Sequence, residues 1–322
     1  MNKVYLIKKI LYAFVTLFAV LIINYFLFRV MPGDPVAMLV RNPSVSPETA
    51  NKIREMFGLD QPWYIQFFLY LKDLFTGNMG TSFIYKKEVV TVIAERLVAT
   101  VLLTFIAEII AIVFGLFLGV VAAWNRGKKI DVFSLGFALV TYAMPTFWLG
   151  VILIAFFSGY LNLFPTSGMV SPSFVFVEGF QRIKDIAWHI VLPAITLALV
   201  LLGEYMLVMR STLIDILTED YIITAEAKGL SSSQILKKHA LPNAMIPMVT
   251  IMALNLGFAI TGALQVETVF SWPGIGRLMY DALQARDYPL LQGIFLVTSL
   301  AVILANLISD LLYGYLDPRV KN

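Results

Sequence analysis

The sequence predicts an all-α polytopic membrane protein, with six transmembrane helices and both termini in the cytoplasm, on three observations. First, 59% of the 322 residues are hydrophobic and 14% are charged, against roughly 25% charged in an average globular protein. With a mean hydropathy of +0.81, the apolar residues exceed what a compact soluble core hides, and the excess must face lipid or other helices. Second, six apolar stretches lie near residues 10–30, 97–123, 133–157, 189–209, 243–266 and 290–316. Each suffices for the roughly 20 helical residues needed to cross a hydrocarbon core about 30 Å thick, and all are too long and too uniformly apolar for barrel strands. Third, the segments 1–9, 124–131, 210–242 and 317–322 hold 12 basic and 6 acidic residues in 56 positions, whereas 29–96, 158–188 and 267–289 hold 12 of each in 122. Basic residues concentrate in cytoplasmic loops, so the first group of segments is placed inside.

Composition also excludes chemistry. The absence of cysteine rules out disulfides, iron–sulfur clusters and thiolate zinc sites, and only two histidines, His189 and His239, are present. The net charge of +3 gives no reason to expect nucleic acid as a partner.

In chain order, the first span (1–30) follows Lys3, Lys8 and Lys9. Its apolar run exceeds that of a signal peptide and is followed by no small-residue cleavage site, so it is expected to remain as an anchor. An extracytoplasmic segment (31–96) follows. Within it, residues 47–76 read as one or two amphipathic helices, with Pro47 and Glu48 at a helix start and an aromatic run from Trp63 to Tyr70, suited to the lipid interface or to docking an external partner. A five-helix core (97–316) and a cytoplasmic tail (317–322) complete the chain. Gly115, Gly119 and the alanines at 111, 122 and 123 put small residues on one face of span two, as close helix packing requires. Pro145 and Pro193 are expected to kink spans three and four or to mark their ends. His189 reads as an interfacial residue. Among ionisable residues within spans, Glu204 and Asp310 lie near inner ends, while Glu108 lies deeper and is a candidate for the translocation pathway or an interhelical polar contact.

The loop 210–242 is the most informative polar stretch. Thr218 is placed as an N-cap, Glu219 and Asp220 in the first turn, Lys228 at the end and Gly229 in the left-handed closing position, which delimits a helix of about 219–228. Ser231-Ser-Ser-Gln234 then matches a capping box opening a second helix, which Pro242 is expected to interrupt before span five. A compact bihelical element of this kind suits a push received from a soluble motor subunit. The outer loop 267–289 carries Trp272-Pro-Gly-Ile-Gly276, a rigid turn suited to re-entering the bilayer as a plug or to reaching a docked extracytoplasmic protein, with Trp272, Pro273 and Gly274 as the candidates for that contact.

Asp220-Tyr-Ile-Ile-Thr-Ala-Glu-Ala-Lys-Gly-Leu230 followed by His239-Ala-Leu-Pro242 resembles the EAA loop of ABC importer permeases. Gly229 takes the glycine of that pattern, Leu241-Pro242 its closing pair and Ala225 its second alanine. Ile223, Thr224 and His239 depart from the general pattern in the manner of the peptide and nickel branch. Further blocks, among them Arg29-Val-Met-Pro-Gly-Asp-Pro35, Gly77-Asn-Met-Gly-Thr-Ser82, Pro145-Thr-Phe-Trp-Leu-Gly150, Trp272-Pro-Gly-Ile-Gly276, Arg286-Asp-Tyr-Pro289 and Leu316-Asp-Pro-Arg319, are similar to the dipeptide, oligopeptide and nickel permeases, and to the first of their two permease subunits.

The resemblance implies a type I importer permease in a prokaryotic cell membrane. This chain would pair with a homologous second permease, two cytoplasmic ABC ATPases would drive the pair with ATP and Mg²⁺, and an extracytoplasmic binding protein would deliver the substrate. Peptide is the expected cargo, with nickel or another small solute as the alternative. The helix near 219–228 would seat in an ATPase groove through Tyr221, Ile222 and Ala225, with Ala227, Gly229, Leu241 and Pro242 completing the coupling element. No cofactor or metal is expected on this chain. A P-loop requires Gly-x-x-x-x-Gly-Lys-Ser/Thr, and the Gly127-Lys128 dipeptide has Ala122 in place of the first glycine and Lys129 after it. The sequence also lacks the internal halves usual in secondary transporters and the catalytic motifs of a membrane hydrolase.

Overall fold

In a computed structural model, backbone is described for residues 3–30 and 61–316, and side chains for 5–28 and 61–311. The sequence readings at 31–35, at 47–60 and on the tail 317–322 lie outside the described residues. The elements are α1 (Lys3–Val30), α2 (Trp63–Phe75), α3 (Val89–Trp124), α4 (Lys129–Ala143), α5 (Thr146–Leu153), α6 (Phe180–His189), α7 (Val191–Leu217), α8 (Asp220–Ala227), α9 (Ser232–Ile235), α10 (Leu241–Phe258), α11 (Leu264–Val269), α12 (Ile275–Gln284) and α13 (Tyr288–Leu316). Among the described residues no strand forms; Thr81 and Glu88 make an isolated antiparallel bridge.

Among the described residues five helices are long and apolar enough to cross a membrane: α1, α3, α7, the run Ser232–Thr261 that contains α10, and α13. The third expected span, near 133–157, is broken. Helix α4 and the run Thr146–Tyr160 meet at 104°. The cause is local, because a proline ring disfavours helical backbone in the residue before it. Met144 accordingly sits at ψ 130, and Pro145 starts α5 from an extended conformation. Pro193, by contrast, lies in the first turn of α7, where its missing N–H costs nothing.

The chain divides into two compact units, one made of Met1–Ala13, Arg96–Leu278 and Ala301–Asn322, the other of Phe14–Glu95 and Met279–Leu300. In the first, small residues let helices approach closely. A Cβ on Gly115 would lie 2.7 Å from Tyr205 Cβ, and one on Gly119 2.8 Å from Met209 Cβ, so α3 and α7 pack backbone to backbone. A Cβ on Gly203 would lie 2.8 Å from the Ala138 carbonyl, which brings α4 against the neighbouring face of α7. Leu103, Ala107, Leu213 and Met248 fill the core between these helices.

In the second unit, Asn24 of α1 donates to the Gln292 carbonyl at 3.2 Å and to the Tyr70 hydroxyl at 3.3 Å, while Tyr25 donates to the Trp63 carbonyl at 2.7 Å. Asp287 is fully buried. It accepts from Ser82 Oγ at 2.6 Å, from Ile84 N–H at 3.0 Å and, as the N-cap of α13, from Leu290 N–H at 3.3 Å.

Candidate functional site

The loop 210–242 folds as a helical hairpin around Gly229, whose φ of +78° is the left-handed conformation that glycine adopts without cost. The Ser231 side chain accepts from Gln234 N–H and the Gln234 side chain from Ser231 N–H, so the capping box forms. Two local expectations differ from the structure. Thr218 closes α7 instead of opening α8. Its hydroxyl donates to the Asp215 carbonyl at 2.7 Å, and Glu219 precedes the first turn of α8. Pro242 does not interrupt the second helix either. The residues Leu236–Ala240 form a π turn leading directly into α10, with Pro242 in the first turn of α10. The widened turn accommodates the ring and the missing donor.

The faces of α8 are sharply divided. Ile222 and Ala225 are 2% and 5% exposed and belong to the core of the first unit together with Ile235 and Ala240. They seat the hairpin on the chain's own bundle and are not free to anchor in a partner's groove. The outward face carries Ile223, 57% exposed, and Tyr221, 41% exposed, with Ala227 and Gly229 also exposed beside it. Tyr221 accepts from Asn243 Nδ2 at 3.3 Å, which ties α8 to the start of α10 near half-exposed Leu241. Partial burial raises the Tyr221 phenol above its usual range, and the bond from Asn243 offsets part of the effect.

At the other end of α10, the loop 262–278 wraps a carboxylate. Glu267 is 0% exposed. It accepts from Thr100 Oγ1 at 2.9 Å, from Arg277 N–H at 3.0 Å and from Ala263 N–H at 3.3 Å, while Ile275 N–H donates to Thr100 Oγ1 at 2.7 Å. The carboxyl therefore caps the N-terminus of α12. Burial pushes its pKa up, against the pull of these donors. A Cβ at Gly274 would collide with this carboxyl group. Trp272 is also 0% exposed and donates its indole N–H to the Ala99 carbonyl at 2.8 Å. Trp272 and Gly274, expected to reach a docked protein, are thus internal parts of the cradle, and Pro273 is half-buried between them.

Glu108 is buried on α3 and accepts from the Tyr205 hydroxyl of α7, which in turn accepts from Asn255 Nδ2 of α10 at 3.1 Å. Of its two readings, the geometry is that of an interhelical contact. On the far side of α7, Asp131 takes a bidentate grip from Arg210, Nε to Oδ1 at 2.6 Å and Nη2 to Oδ2 at 2.8 Å, and also accepts from Gly127 N–H at 2.9 Å. Asp310 pairs with Lys9 Nζ at 2.8 Å. His189 is buried, with Nδ1 2.8 Å from the Asp185 carbonyl oxygen, and among the described residues no three His, Cys, Asp or Glu side chains group as a metal site.

A family model for the N-terminal part of the membrane component of binding-protein-dependent transport systems matches residues 2–104. The model for the inner membrane component of those systems matches residues 115–322, a stretch that includes the hairpin and Glu267. The chain belongs to this permease family. The dipeptide transport system permease protein of Escherichia coli strain K12 is 38% identical, over 95% of each chain. The glutathione transport system permease protein of the same strain is 37% identical, over 98% of each. A solved inward-facing MetNI methionine ABC transporter matches with a TM-score of 0.55 at 17% identity, covering 71% of this chain and 97% of the other, which shows the shared type I permease fold.

As a multi-pass inner-membrane permease of a binding-protein-dependent importer, the chain works with ATPase and substrate-binding partners. Sequence reasoning missed Ile223 of the permease as an exposed position on α8, because its departure from the family pattern hid the simpler signal of an apolar residue one step from Ile222. It also missed Glu267 as a structural centre. The available signal was an acidic residue followed by a glycine-rich turn and then a helix start.

Proposed function

We propose that the chain is the permease subunit of an ATP-driven importer of dipeptides and oligopeptides and forms half of the translocation pathway beside a homologous second permease. Two cytoplasmic ATPases hydrolyse ATP with Mg²⁺, and an extracytoplasmic binding protein delivers the peptide. The dipeptide and glutathione relatives support peptide over nickel as cargo. The observation that carries the coupling role is the two-sided hairpin, with Ile222, Ala225 and Ile235 locked into the helix bundle while Tyr221 and Ile223 face outward. An ATPase gripping the outward face moves α8. The inward face passes that displacement to α7 and α10 together, since α8 is joined to one by Thr218 and Glu219 and to the other through the π turn. Such a displacement switches the pathway between inward-open and outward-open states.

The test is ATP-dependent uptake of a labelled dipeptide into proteoliposomes containing the permease pair, its ATPases and the binding protein. Ile223→Asp leaves the permease folded but lowers ATPase affinity about tenfold or more, as loss of a central apolar contact does. Uptake without ATP rules out an ATP-driven importer, and unchanged ATPase affinity in this variant rules out the coupling role of the outward face of α8.

A further inference from the structure

The pair Asp131 and Arg210 lies outside α8 and α9, yet it sits where force from the hairpin enters the bundle. Arg210 is on α7, two turns before that helix ends at Leu217 and hands over to α8. Asp131 is in the first turn of α4. Its side chain is 5% exposed and that of Arg210 20%, so solvent screens the pair little. The carboxylate accepts from the Nε and Nη2 N–H groups of Arg210 and from the Gly127 N–H, and one group thereby holds the α3–α4 turn, α4 and α7. A bidentate Arg–carboxylate bond fixes orientation as well as distance.

A second contact joins the same helices. Gly203 of α7 lies against the Ala138 carbonyl of α4. From Gly203 to Arg210 is two helical turns, and so is the step from Ala138 back to Asp131. The antiparallel helices are therefore fastened at two points about 10 Å apart. One contact would permit rocking, whereas two resist it.

We propose that Asp131 and Arg210 are positioning residues for transport, a strut that makes α4 and α7 a single lever, so that displacement of α8 is delivered to the 104° bend at Pro145 and not lost at the end of α7. The proposal rests on the coupling role given to the hairpin above. It specifies how the stroke leaves the hairpin, with the strut acting through α4 and α7.

The experiment uses the full reconstituted importer, with ATP hydrolysis and dipeptide uptake measured on the same vesicles. Asp131→Asn and Arg210→Gln are each expected to keep ATP hydrolysis near the wild-type rate while lowering peptide moved per ATP about tenfold, a loss in the range of ordinary coupling energies. The double variant is expected to be no worse than the poorer single one, because the second change removes a partner already lost. Parallel losses of hydrolysis and uptake at a constant ratio, or additive losses in the double variant, overturn the strut.

Where a variant fails to assemble, spin labels decide. This chain has no cysteine, and Lys129 and Ser211 are both exposed, so Lys129→Cys with Ser211→Cys reports the α4–α7 distance in an importer whose other subunits are cysteine-free. One unchanged distance in nucleotide-free and ATP-trapped states supports a single lever, and a distance that differs between those states overturns it. A wild-type importer that shows no ATP-dependent uptake defeats the functional assignment instead, a result separate from either outcome for the strut.

Discussion

The loop 210–242 and the loop 262–278 flank the same helix, α10, and both look from their composition like surfaces offered to partners. Their polar groups are used in opposite ways. The first satisfies its backbone locally, through the Ser231–Gln234 box and Gly229, and leaves Tyr221 and Ile223 facing out. The second turns its single carboxylate inward, closes N–H groups around it and hides Trp272 completely. A locally capped element keeps a face free for something else to grip. An element organised around a buried charge becomes part of the scaffold and resists being moved.

The comparison is broken most directly at Glu267. Glu267→Ala strands the N–H groups of Arg277 and Ala263, each at a cost on the order of 1–3 kcal/mol, and removes the cap on α12. Ile223→Ala on the exposed face of α8 should stay within about 0.5 kcal/mol of wild type. Thermal unfolding of the detergent-solubilised permease measures both. Equal stability of the two variants would mean that the loop 262–278 is no more a scaffold than the hairpin.

Two glycines sharpen the same contrast with a smaller expected effect. At Gly274 a Cβ collides with the Glu267 carboxyl group, so Gly274→Ala should cost about 1–3 kcal/mol through overpacking. At Gly229 a Cβ meets nothing within 4 Å, and the cost of Gly229→Ala is the left-handed backbone alone, about 1–2 kcal/mol. The two differ in how they combine with Glu267→Ala. The Gly274 loss should shrink in that background, because the obstacle is gone, while the Gly229 loss should simply add. Additivity at both positions in unfolding measurements would refute the cradle.

These contrasts explain what could be read in advance. The hairpin was legible because its signals are local, with Gly229, Ser231 and Gln234 all within six residues. The break at Pro145 was legible because proline acts on its neighbour. The inward direction of Ile222 and Ala225 was not, since an apolar stripe at i and i+3 looks the same whether it meets a partner or the chain's own core. Nor were the pairings of Thr100 with Glu267 and of Asp131 with Arg210, whose members lie 167 and 79 residues apart. The rigid Trp272-Pro-Gly turn of the outer loop suggested a contact surface, whereas Trp272 and Gly274 are internal.

The smallest expected effect concerns another inward-turned carboxylate, in the outer segment before α7. Asp185 of α6 accepts from Ser171 N–H and Ser171 Oγ, both at 2.7 Å, with His189 beside it. Burial by itself raises the Asp185 pKa, but the Ser171 donors and the His189 ring outweigh it and hold the group below its usual range. A depressed folded pKa means that near the ordinary carboxylate value of about 3.9 the unfolded chain binds more protons than the native one. The stabilisation is therefore complete above that value and disappears as pH falls through the lower, folded pKa. Ser171→Ala removes one of the two Ser171 donors and should cost about 1 kcal/mol at neutral pH. It should also bring the folded pKa closer to the unfolded one, so the difference between variant and wild type narrows in acid. Unfolding measured from neutral pH down to pH about 3, on either side of that ordinary value, tests the sign, and a difference that widens in acid would show that the Ser171 hydroxyl does not act on the ionised form of Asp185.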